Sequence, residues 1–262
     1  LYDANKLLEA PGKVPLEQRH HRLDQFFSLA AKPEFVSQGS DATCPLAACE
    51  QREYALHPET WLRTLRVLNE TGAAVNHRGE VIKSFIDSAG NFNIDAARTG
   101  TRPENSFTRV DGQKTEVSEI VQSVLNEVIG MQNGGRKDLF YAEQLEPMMK
   151  FMTGRDEKFV VANPKDSQDL VRQLVAMKER GDLYAVLEMD ASHLGAGGLT
   201  PNRGHARIIK DLNSPWSAQD MQSNTPLRER FREDGLAIRR TGAVDSNGQP
   251  LYELDPSRID IA

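Results

Sequence analysis

"QGSDATCPLAAC", residues 38–49, holds both cysteines of the 262-residue chain, five residues apart, with a glutamine six residues before the first. Proline is well tolerated in the first turn of a helix, where its missing N–H has no partner to lose. Pro45 followed by Leu46, Ala47 and Ala48 therefore predicts a helix that starts at Pro45, with Cys44 as its N-cap. Cys44 and Cys49 would lie on opposite sides of that helix, a poor geometry for a disulfide. Two cysteines also make neither a disulfide framework nor a zinc-ligand set. A reduced thiol at Cys44 and a core thiol at Cys49, among apolar neighbours, are the expectations.

On either side of this stretch the apolar spacing is helical. "VPLEQRHHRLDQFFSLAA" places Leu16, Leu23, Phe26, Phe27 and Ala30 at helical intervals before Pro33 interrupts. "HPETWLRTLRVLNETG" carries Trp61, Leu62, Leu65 and Leu68 as a stripe, with Gly72 as the stop. Residues 75–112 are polar and turn-rich and read as an excursion or flexible loop. Helices are predicted over 116–131, ended by Asn133, Gly134 and Gly135, and over 167–180. Beyond residue 155 the period changes. "KFVVAN", "LYAVLEMD", "HARIIKDL", "GLAIRRTG" and "PLYELD" read as strands, and "DSNGQ" as a hairpin turn. The mixed-charge "PLRERFRED" reads as a solvated helix. The first part of the chain is thus mainly helical and the second mainly sheet.

Composition narrows the function classes. The net charge of −6 argues against nucleic-acid binding, which needs a Lys/Arg excess. A mean hydropathy of −0.54, with no long apolar run, predicts no membrane span. No signal peptide is recognisable, and the start at Leu1 is read as that of a domain cut from something longer. Acidic pairs such as Asp182 and Glu188 share no face with another carboxylate, which gives glycosidase chemistry no support. "HLGAGGL" lacks the lysine and following helix of a phosphate cradle and reads as a loop ahead of His205. No cofactor and no metal are expected.

Helix N-termini lower thiol pKa values, so Cys44 is a candidate nucleophile. Gln38, returning over the sulfur, could offer a side-chain N–H to a developing oxyanion. Of six histidines, His20 and His21 fall in a polar helical stretch and His57 and His77 at turns, where surface roles suit them. His193 lies in the glycine-rich loop. His205 opens a β-branched strand directly after Gly204, a rigid position for a general base.

Two blocks carry a family resemblance. "QGSDATCPLAAC" resembles the papain-like cysteine peptidases, most closely the calpain type, through Gln38, Cys44 and the "LAA" at 46–48. "LYAVLEMDASHLGAGGLTPNRGHARIIKDL" resembles the family's histidine block, through Gly204, His205 and Ala206. Together the blocks cover about a sixth of the chain. Pro45 stands where the family has tryptophan, and Thr43 where it has aspartate or serine. The resemblance implies an α+β fold: an N-terminal helical lobe (1–155) with Cys44, a C-terminal antiparallel β-sheet lobe (156–262) with His205, and a cleft between them.

The third member of the triad is open. "LNSPWS" nominates Asn213, but an unbroken strand would put it about 26 Å from His205. Asp255 ends the "PLYELD" strand, which the resemblance pairs with the histidine strand, and is favoured, with Asn213 second and Asp220 third. The implied function is peptide-bond cleavage in protein substrates through a Cys44–His205 pair. The alternatives are glutamine deamidation or transglutamination on the same triad, or a non-catalytic module that binds a partner protein. A secreted or host-injected bacterial toxin or effector is the setting that the resemblance implies.

Overall fold

The computed structural model describes residues 2–9, 11–37, 43–93, 114–135, 142–156, 167–181, 184–190, 204–210, 217–220 and 238–254. Helices dominate the first part of the chain and antiparallel strands the second, an α+β composition. Two compact units divide it, Leu1–Phe159 and Val160–Ala262.

The first unit contains α1 (Tyr2–Glu9), α2 (Leu16–Ala31), a single 3₁₀ turn at Pro33–Phe35, α3 (Cys44–Leu56), α4 (Glu59–Thr71), the strands β1 (Ala73–Val75) and β2 (Val81–Ser84), α5 (Glu116–Gln132) and α6 (Ala142–Thr153). α3 lies in the interior, packed by α2, α4, α5 and α6. Leu46, Ala47, Ala48 and Cys49 have almost no exposed surface, as the apolar run predicts. α5 is its main partner, with Val117, Ile120, Val121, Val124, Leu125, Val128 and Ile129 all buried. α4 buries Trp61, Leu62, Leu65 and Leu68, the four stripe residues, and ends at Gly72. Gly72 has φ +74°, a left-handed conformation that favours glycine, and a Cβ there would press on the Ile86 side chain.

Three sequence expectations change. The stretch after residue 75 is not simply loop: β1 and β2 pair antiparallel, and Asn76 caps their turn by accepting the N–H groups of Arg78 and Glu80 on its Oδ1. An Ile86–Phe92 bridge extends the pairing. In α2 the expected stripe is only half right. Leu23 and Phe26 are buried but Leu16 and Phe27 are about half exposed, while Arg19 and Arg22 turn inward. Their heads find partners: Arg19 donates to the Val14 carbonyl, and Arg22 meets Glu116. α1 and α6 are additional helices, and α6 carries Pro147 in its interior.

The second unit contains α7 (Ser167–Glu179), a three-stranded antiparallel sheet of β3 (Tyr184–Asp190), β4 (Gly204–Lys210) and β5 (Ser217–Asp220), and a hairpin of β6 (Ile238–Val244) and β7 (Pro250–Leu254). The hairpin turn is built on Asp245, whose Oδ1 accepts the N–H groups of Asn247 and Gln249 at 2.8 and 2.9 Å. Arg172 of α7 donates to the other carboxylate oxygen at 2.8 Å. Those donors, the Gln249 N–H first among them, hold the Asp245 carboxyl below its ordinary pKa. "KFVVAN" and "PLRERFRED" lie outside the described residues.

Candidate active site

Cys44 is the first residue of α3. The carbonyl of Thr43 accepts the Ala47 N–H at 2.9 Å, which makes Thr43 the N-cap. The expectation of Cys44 as N-cap is therefore off by one residue: Pro45 sits at the second helical position, where its missing N–H also costs nothing. Cys44 remains in the first turn, where the helix dipole favours negative charge. Cys49, one and a half turns on, is a buried core thiol.

Beneath that first turn lies a buried polar network. The Thr43 hydroxyl donates to Gln122 Oε1 at 2.8 Å. Gln122 Nε2 donates to the Ser37 carbonyl at 3.0 Å and to Glu50 Oε2 at 2.7 Å. Ser118 Oγ donates to Glu50 Oε1 at 2.7 Å. Glu50 is wholly buried, and burial pushes its pKa up to about 7, against the hydrogen bonds of Gln122 and Ser118 and the charge of Lys114. Burial likewise pushes the Tyr54 phenol well up, with the Glu50 charge adding to it. Trp61 Nε1 donates to the Glu50 carbonyl at 3.2 Å, tying α4 to α3 at the same level.

Farther along α3, Glu53 is also buried and pairs with Arg155, which reaches the Thr60 hydroxyl as well. Of the Cys44 site candidates, Gln38 lies outside the described residues, although Ser37 beside it is buried.

His205 is the second residue of β4 and stands opposite Met189 of β3; Gly204 stands opposite Asp190. His205 belongs to the second unit and Cys44 to the first. The triad candidates fare differently. β4 is described over Gly204–Lys210. Asn213 itself, like Asp255 and His193, lies outside the described residues. β7, which precedes Asp255, pairs with β6, whereas β4 pairs with β3 and β5. The expected pairing of the "PLYELD" strand with the histidine strand is thereby corrected. Asp220 stands opposite Arg207, two residues along β4 from His205. Diagonal positions of this kind on adjacent strands are about 7–8 Å apart.

The remaining histidines have structural surroundings. His20 and His21 are exposed, and His77 Nδ1 lies 3.0 Å from the Phe151 carbonyl oxygen. Among the described residues no group of three or more His, Cys, Asp or Glu could hold a metal ion, and no helix is long and apolar enough to cross a membrane.

The sequence reading missed Thr43, Glu50, Ser118 and Gln122. A signal was present: Ser118 and Gln122 are polar residues four apart within the apolar run of α5, and their spacing puts them on one face. No protein family, curated protein or solved structure matches the chain.

Proposed function

We propose that the chain is a papain-like cysteine hydrolase that cleaves peptide bonds in protein substrates, with Cys44 as nucleophile and His205 as general base. The observation that carries this reading is Cys44 in the first turn of a buried helix whose N-cap side chain is held by a buried network. Such a position stabilises a thiolate. The Gly204–His205–Ala206 match on a regular strand supports the choice of base.

In the mechanism, His205 takes the Cys44 proton and the thiolate attacks the scissile carbonyl carbon. The Cys44 backbone N–H and the Gln38 side chain donate to the oxyanion. The C–N bond breaks as the imidazolium returns its proton to the leaving amine, giving a thioester. Water, deprotonated by His205, then releases the acid and restores the thiol. A carboxylate beside the imidazole holds its tautomer and stabilises its charged form. The β4–β5 register favours Asp220 for that role over Asp255.

The test is proteolysis of an unfolded, fluorescently quenched protein substrate, with products identified by mass spectrometry. New amino termini should appear with wild type and with Cys49→Ser, and fall at least 100-fold with Cys44→Ala or His205→Ala. Activity that survives both of the latter substitutions would refute the proposal. Conversion of glutamine side chains without chain cleavage would instead select deamidation.

A further inference from the structure

We propose that Gln122 is the positioning residue of the Cys44 site, its carboxamide joining the two backbone segments that flank residues 38–42. This inference rests on Cys44 being the nucleophile. The geometry is unusual in its economy. One buried side chain of α5 holds Ser37 on one side of the segment through Nε2, and Thr43 on the other through Oε1. Both carboxamide donors and its acceptor are thereby used.

The amide orientation is fixed by its surroundings. Nε2 faces two acceptors, the Ser37 carbonyl and Glu50 Oε2, while Oε1 faces a hydroxyl donor. A flipped amide would set oxygen against the Ser37 carbonyl. Glu50 is held in turn by Ser118 from the same helix, so the clamp is anchored at two points on α5.

Thr43 shows what the clamp does. An N-cap threonine ordinarily turns its hydroxyl to the amides of the helix it caps. Here it makes no such bond, and the hydroxyl points to Gln122 instead. The first-turn amides of α3 therefore receive no acceptor from the Thr43 side chain. At the same time the hydroxyl of the residue before Cys44 is tied to α5, which restrains the backbone entering α3. The carbonyl of Ser37, immediately before Gln38, is held by the same carboxamide. Gln122 thus ties the backbone at Ser37 to the residue that precedes the proposed nucleophile.

The decisive comparison uses Thr43→Val, Thr43→Ser and Gln122→Leu in the full chain. Carbamidomethylation of Cys44 is followed from pH 5 to 9 by peptide mass spectrometry, and melting temperature is recorded in parallel. Thr43→Val keeps the side-chain shape but removes the donor, and Thr43→Ser keeps the donor. The proposal predicts that Thr43→Val and Gln122→Leu move the labelling midpoint toward that of an ordinary thiol, about 8.5, and slow labelling at pH 6 at least tenfold. Thr43→Ser should keep the wild-type profile. Should Gln122→Leu not fold, the threonine pair decides. A wild-type midpoint that is low and His205-dependent, yet unchanged in Thr43→Val, would overturn the role of Gln122 and leave the proposed function standing. A wild-type midpoint near 8.5 that ignores His205 would overturn both.

Discussion

Glu50 concentrates the residue-scale physics of this protein. A carboxyl group with no exposed surface sits among Gln122, Ser118, Lys114 and Tyr54, and the cost of burying its charge outweighs the donors around it. Its pKa of about 7 in the fold, against 4.5 ordinarily, means that the folded protein keeps a proton that the unfolded chain releases. The resulting stabilisation is complete below pH 4.5 and is lost as pH rises through about 7, amounting to about 3 kcal/mol. Glu50→Gln keeps the shape and can still accept from Gln122 while donating to Ser118 Oγ. Its melting temperature should be nearly flat between pH 5 and 8, and should exceed that of wild type at pH 8. A wild-type melting temperature equally flat over that range would contradict this. None of this was legible in "CPLAACEQREYAL". Cys49 as a core residue follows from its apolar neighbours, but nothing in the local sequence marks Glu50, Gln51 and Glu53 for burial. They are buried because α5 and α6 cover them, and those partners lie roughly 70 to 100 residues away in sequence, beyond the reach of any local pattern.

At the scale of elements, legibility followed the strength of the local signal. α4 and α5 were plain because apolar periodicity and a stop agreed: Gly72 for the first, Asn133 and the glycines for the second. α6 was missed because Pro147 interrupts it, and the β1–β2 hairpin because the Asn76 side chain, rather than an Asn-Gly pair, makes its turn. α2 was half legible. Its inward arginines break the apolar rule: Arg19 turns in to the Val14 carbonyl, and the burial of Arg22 is intelligible only with α5 in view. Arg22 Nε donates to Glu116 Oε1 at 2.6 Å, in the first turn of α5, and its guanidinium lies 4.3 Å from the Phe92 ring centroid. Burial lowers the Arg22 pKa, and the Glu116 charge opposes that. Removing one partner of a buried pair leaves the other charge stranded, which typically costs about 3–5 kcal/mol. Glu116→Ala should therefore lower the urea midpoint by an amount corresponding to about 3 kcal/mol, and adding Arg22→Met should recover part of it. No recovery in the double variant would show that Glu116 acts through something other than Arg22.

At the scale of the whole molecule, the segregation of helix from strand was visible in the change of hydrophobic period after residue 155, and the α+β composition follows from it. Of the strand pairing, only the β6–β7 hairpin was visible, in the "DSNGQ" turn. Strand patterns identify faces but not neighbours, and only the register puts β3 and β5 beside β4. The proposed chemistry joins a thiol of the first unit to an imidazole of the second, and its central claim is that Cys44 is ionised by His205. Iodoacetamide labelling of Cys44 between pH 5 and 8, in wild type and in His205→Ala, tests that claim most directly. The account predicts labelling that stays fast at pH 6 in wild type and falls at least tenfold in His205→Ala. A Cys44 that labels slowly at pH 6, with a midpoint near 8.5 and no response to the loss of His205, would contradict it.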